Sequence, residues 1–112
     1  MLKHDISERG AVTLVRLDEE NLDALTVPDA RPLVERLVER GGIKVVLDLT
    51  AVRIIDSSGV AIIVSLFKRL RALGGALRVA GVTGQPREIF SMLRLDQVLP
   101  MFADADEALK GF

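Results

Sequence analysis

Ile43-Lys44-Val45-Val46-Leu47-Asp48-Leu49 is a nearly unbroken apolar run, set between the glycine pair Gly41-Gly42 and Thr50. It is short enough to be a strand and apolar enough to be buried on both faces. Such strands sit in the middle of a parallel sheet, and parallel pairing requires crossover connections that return the chain, usually as helices. This one segment therefore asks for helices on either side of it in sequence.

The flanking sequence supplies them. Glu8-Arg9-Gly10 can turn the chain between a short strand around Lys3 to Ser7 and a second from Ala11 to Leu17, rich in β-branched and aliphatic residues, which predicts an N-terminal hairpin. Leu33, Val34, Leu37 and Val38 recur at helical spacing, with Glu35, Arg36, Glu39 and Arg40 on the other face and Gly41-Gly42 at the end. Thr26 followed by Asp29 resembles a capping box, but that start would put Pro32 inside the helix. Asp29 is therefore expected to be the N-cap, with Pro32 in the tolerated first turn. Ser57 to Leu73 reads as a helix whose first turns are apolar almost all round, closing with Lys68, Arg69 and Arg71 and stopped by Gly74-Gly75. A strand from Ala76 to Ala80, a helix from about Pro86 to Leu93, a short strand from Val98 to Phe102 and a final helix from Asp104 to Lys110 complete the chain. The order ββαβαβαβα predicts an α/β fold, a small mixed sheet with an N-terminal hairpin and about four helices, spanning residues 1–112 as one domain.

Composition excludes several function classes. Fifteen Lys and Arg against 16 Asp and Glu leave a net charge of -1, which gives no electrostatic footprint for nucleic acid or an anionic membrane. Cysteine is absent, so disulfides, thiolate metal sites and thiol catalysis fall together. The longest apolar run, Gly59 to Phe67, is broken by Ser65 and ends at Lys68, well short of the roughly 20 residues of a membrane span. Met1 to Gly10 does not read as a signal peptide, so the cytoplasm is the expected location. Asp18 to Asp23 does not follow a calcium-loop pattern, and no cofactor or metal is expected. Ser65-Leu66-Phe67-Lys68 matches S-x-x-K without its companion motifs, and a serine hydrolase would have to recruit the single histidine, His4. Met92, Met101 and the four Phe are expected in the core.

In α/β folds, sites gather at the carboxyl ends of strands where loops enter helices. The loop Thr50 to Gly59 ends in Asp56-Ser57-Ser58-Gly59 at the start of the most apolar helix. Asp56 or Ser57 could serve simply as the N-cap, worth about 1 kcal/mol. One cap does not need three capping residues in a row, however. Gly59 in the first turn further suggests that something approaches the backbone there.

Val45-Val46-Leu47-Asp48-Leu49, Ile55-Asp56-Ser57-Ser58-Gly59-Val60, Lys68-Arg69-Leu70, Gly74-Gly75-Ala76-Leu77, Ile89 to Leu95 and Ala105-Asp106-Glu107-Ala108-Leu109 together resemble bacterial anti-sigma factor antagonists, which are stand-alone STAS domains. The resemblance runs from about Leu14 to Leu109 and is most specific at Asp-Ser-Ser-Gly. It implies that Ser58 is the phosphoacceptor, that the partner is an anti-sigma factor with serine-kinase activity, and that a phosphatase resets the phosphorylated form. It places partner contacts at Asp23, Asp56, Ser57, Ser58, Gly59 and Val60, and implies a regulator that is not an enzyme. Asp23 corresponds to an acid in the loop after the second strand, although the same residues also read as a solvated acidic loop. The family glycine before that acid is replaced here by Asp18-Glu19-Glu20-Asn21, so this loop is expected to be longer or differently shaped. A STAS subunit of a stress-signalling scaffold or of a lipid-transport complex is the alternative within the same fold.

Overall fold

In the structure, a computed structural model, residues 2–112 are described. Met1, which begins both the one-domain reading and the segment judged not to be a signal peptide, lies outside them. Strands β1 (His4–Arg9) and β2 (Val12–Leu17) form the expected hairpin, paired antiparallel from His4 opposite Leu17 to Arg9 opposite Val12. Gly10 turns it at φ +63°, a conformation a side chain resists. There follow β3 (Asn21–Leu22), α1 (Val27–Glu39), β4 (Lys44–Asp48), β5 (Ile54–Ile55), α2 (Ser57–Ala72), β6 (Ala76–Ala80), α3 (Gly84–Met92), a 3₁₀ turn (Leu95–Gln97), β7 (Met101–Phe102) and α4 (Ala105–Leu109).

The main sheet has the order β1-β2-β4-β6-β7, parallel throughout except for the opening hairpin. The apolar run that fixes the fold class lies at its centre, with Val45 through Leu49 buried. Alternation along β4 and β6 divides the core in two. Val45, Leu47, Leu77 and Val79 point to the face covered by α1, α2 and α3, where Leu37, Ile63, Leu70 and Phe90 pack against them. Val46 and Ala80 point to the opposite face, where Val12 and Ala108 join them under Phe102, Leu109 and Phe112. Among the described residues, no helix is long and apolar enough to cross a membrane, and no cluster of His, Cys, Asp and Glu could hold a metal ion.

Four local expectations are corrected. Helix α1 begins at Val27 with Thr26, not Asp29, as N-cap, and Pro32 lies inside it. The Thr26 hydroxyl does not cap: it accepts from the Asp23 N–H at 3.0 Å and donates to the Asn21 carbonyl at 3.0 Å. The missing donor at Pro32 is tolerated because Val27, Ala30, Leu33, Val34 and Leu37 form a buried stripe that holds the helix down. Secondly, the segments before α1 and before α2 are not plain loops, because β3 and β5 pair in parallel as a separate two-stranded sheet, Asn21 with Ile54 and Leu22 with Ile55. Thirdly, the last strand is only Met101–Phe102, since Leu95–Gln97 turns as a 3₁₀ helix, and α3 starts at Gly84, two residues before Pro86. Finally, Met92 is 78% exposed rather than in the core, because α3 buries Pro86 and Phe90, one turn apart, and Met92 projects from the other side.

Candidate functional site

The site is assembled where β3 and β5 deliver their chains into α1 and α2. Their pairing is continued by the Glu20 carbonyl, which accepts from the N–H groups of Arg53 at 2.7 Å and Ile54 at 3.0 Å, and by the Leu22 carbonyl, which accepts from the Asp56 N–H at 3.3 Å. Asp56 is in extended conformation, and its Oδ1 accepts the Gly59 N–H at 3.0 Å, capping α2. Its Oδ2 accepts the Ala24 N–H at 3.0 Å. One carboxylate thus ties the start of α2 to the loop before α1. The Gly59 N–H above all, and then the Ala24 N–H, hold the Asp56 carboxyl below its ordinary value of 3.8, against partial desolvation.

Asp23 folds its own turn. Its Oδ1 accepts from Leu25 N–H at 3.0 Å and Thr26 N–H at 3.2 Å, and this turn carries Ala24 to Asp56. The segment before it is not wholly a solvated loop: Asn21, its last residue, pairs with Ile54 as the start of β3. At the tip of the Asp23 turn, Leu25 is 87% exposed.

Because Asp56 alone performs the capping, Ser57 and Ser58 are not used for it. Neither hydroxyl makes a hydrogen bond among the described residues. Ser57 is exposed and Ser58 half-buried. Ser58 opens onto a groove of about 410 Å³ between α1 and α2, walled by Ala24, Val27 and Pro28 on one side and Ala61 and Ile62 on the other. The far end of the groove is closed by a two-pronged ion pair between Arg69 and Glu35, at 2.6 and 3.0 Å. Gly59 and Val60 face inward, the latter 7% exposed. What approaches the Gly59 backbone belongs to the chain itself: a methyl there would overlap the Leu22 carbonyl oxygen and the Ile55 side chain.

The structure therefore brings Asp23, Asp56, Ser57 and Ser58 to one surface and sets Gly59 and Val60 beneath it. Sequence reasoning missed the participation of Ala24 and Gln85, whose Oε1 accepts the Ile55 N–H at 2.8 Å and whose Nε2 donates to the Ile55 carbonyl at 2.9 Å. Ala24 acts through its backbone and left no signal. Gln85 is one amide among many polar surface residues, and nothing local marks it.

A family model described as STAS domain matches residues 3–108. The chain is 30% identical over 95 residues to an anti-sigma-B factor antagonist of Listeria monocytogenes, an alignment covering 85% of this chain and 83% of the relative. Among solved structures it resembles an anti-sigma factor antagonist from Mycobacterium paratuberculosis, with a TM-score of 0.86 at 22% identity, covering 97% of this chain and 92% of that one. It also resembles the Bacillus cell fate determinant SpoIIAA in its phosphorylated form, with a TM-score of 0.72 at 21% identity over 97% and 96% of the two chains.

Proposed function

The chain belongs to the STAS domain family, and from that premise we propose that it is an anti-sigma factor antagonist: it binds an anti-sigma factor that is also a serine kinase and is released when that kinase phosphorylates Ser58. A phosphatase returns it to the binding form. The protein is the substrate of the switch rather than a catalyst. The observation that carries this reading is Ser58 itself, a half-exposed hydroxyl without a hydrogen-bond partner among the described residues, at the N-terminus of a long helix and on the lip of an open groove. Two further features support it. The Listeria relative is named as an antagonist of this kind, and SpoIIAA is a fold neighbour described in a phosphorylated form.

The physics of the site favours blocked docking over refolding. A phosphoryl group on Ser58 adds about -1.5 to -2 charges at the positive end of α2, which the helix dipole favours by roughly 0.3–1 kcal/mol and the ionised Asp56 partly opposes. These opposing contributions are small, so the helix stays folded. A partner surface shaped around a bare hydroxyl, with Leu25, Ser57 and the Asp23 turn beside it, would instead have to bury an unpaired dianion. Burying a mispaired interfacial charge costs about 2–5 kcal/mol, a loss of affinity on the order of 30- to several-thousand-fold.

The test is a pull-down with mass spectrometry of the bound protein and of Ser58. Wild type and Ser58→Ala capture an anti-sigma factor, Ser58→Asp does not, and Ser58→Ala carries no phosphate when the kinase is supplied. Far-UV circular dichroism of the phosphorylated and unmodified proteins overlays. A large loss of helix on phosphorylation contradicts the docking mechanism, and capture that is indifferent to the state of Ser58 contradicts the switch.

A further inference from the structure

Strand β5 is two residues long and lies outside the main sheet, yet it aims the functional turn. One of its edges is bonded to β3. On the other, where a longer sheet would place another strand, stands the side chain of Gln85, the second residue of α3. Its carboxamide accepts from the Ile55 N–H at 2.8 Å and donates to the Ile55 carbonyl at 2.9 Å, so it satisfies both backbone groups of one residue. Ile55 is 2% exposed, and buried backbone groups left without partners are costly. An amide side chain offers a donor and an acceptor side by side in the geometry of a strand neighbour, and does so at every pH. The next residue is Asp56, whose two carboxylate oxygens reach Gly59 and Ala24.

We propose that Gln85 is the positioning residue of this site: by clamping the Ile55 peptide groups it fixes the Asp56 cap, and through Asp56 it sets the angle at which the Ser57 and Ser58 hydroxyls leave the surface. The amide couples α3 to the start of α2 without touching either serine. Its bearing on phosphoryl transfer rests on the reading of Ser58 given above, whereas its effect on Asp56 does not.

The experiment uses the full-length chain alone and two variants. Gln85→Met keeps the length and packing of the side chain and removes both hydrogen bonds. Amide hydrogen exchange at Gly59 and Ala24 then accelerates by at least about tenfold, while Val46 and Leu47 in the central strand stay protected. The Asp56 carboxyl, followed by NMR, titrates closer to its ordinary value of 3.8. Gln85→Glu provides the rescue. A protonated carboxyl can donate to the Ile55 carbonyl and accept from its N–H, so protection at Gly59 returns below the titration of the introduced group and is lost above it. Glu20 and Arg53 share the cleft with that position and are the charges that will tune the midpoint. Wild-type exchange at Gly59 and Ala24 in Gln85→Met overturns the proposal, as does an equal loss of protection at Val46 and Leu47, which marks a merely structural role. In a cell extract that phosphorylates wild-type Ser58, Gln85→Met is modified at least about tenfold more slowly, and an equal rate overturns the functional half. If no extract modifies the wild type, the switch fails while the Asp56 titration still decides the positioning role.

Discussion

Replacing Gly59 by alanine would, in an ordinary helix, add about 1 kcal/mol of stability. Here the added methyl meets the Leu22 carbonyl oxygen, a backbone atom that also accepts the Asp56 N–H and cannot swing away. Overlap of that kind costs about 1–3 kcal/mol and more where backbone must shift, so Gly59→Ala is expected to lose about 1–2 kcal/mol net in urea unfolding at unchanged m-value. A variant as stable as wild type would mean that β3 does not press on α2 in solution. The same residue marks how far a sequence can be read at this scale. Asp56, Ser57 and Ser58 stand out in the sequence because three capping residues where one suffices is a chemical excess, and of the two cap candidates, Asp56 and Ser57, the structure uses Asp56. Gly59 was legible as a place of close approach, but the approaching group is a carbonyl 37 residues away in sequence, and no local pattern reports it. Asp23 carries its chemistry through Ala24, whose contribution is a backbone N–H that every residue type possesses.

Helices with a full apolar stripe and the central buried strand were readable because their periodicity extends over several turns or residues. Two-residue strands have no periodicity to read. β3 and β5 exist because the Thr50–Ile55 and Asp18–Leu22 segments meet beyond the end of the sheet, and only tertiary structure brings them together. The start of α1 failed for a different reason. Proline is disfavoured inside a helix, but burial of five apolar residues outweighs that cost here. That conflict can be relieved, since Pro32 is exposed and lies off the buried stripe of the helix. Pro32→Ala restores the donor to the Pro28 carbonyl and removes a clash, gains of up to about 3 kcal/mol in a helix interior. The greater freedom of the unfolded chain takes back about 0.4–1 kcal/mol. A net stabilisation of about 1–2 kcal/mol is expected, visible in calorimetry as a Tm several degrees higher. A lower Tm would show that the proline ring supports the groove wall formed by Pro28 and Val27.

Across the whole molecule the two faces of the sheet are unequal. Three helices cover the face that carries the candidate site, and a single five-residue helix, α4, covers the other. A helix that short has no independent stability, so something must hold it to the sheet. Arg78 projects from β6 on that face and donates to the carbonyls of Ala108 at 3.1 Å and Lys110 at 2.8 Å, the orphaned acceptors at the end of α4. Its guanidinium also lies over the rings of Phe102 at 5.0 Å and Phe112 at 4.3 Å. Charge-assisted hydrogen bonds of this type contribute about 1.5–3 kcal/mol and an exposed cation–π contact about 0.5–1. Arg78→Ala is therefore expected to cost about 2–3 kcal/mol overall and to free α4 locally: amides of residues 105–109 lose protection, and limited proteolysis cuts near Ala103. Because α4 and the Ser58 groove lie on opposite faces, capture of the proposed anti-sigma factor partner by the folded fraction should be unchanged. Wild-type protection over residues 105–109 in this variant would show that Ala108 and the C-terminal aromatics hold the helix by burial alone. Altered capture would show instead that the sheet transmits strain from one face to the other.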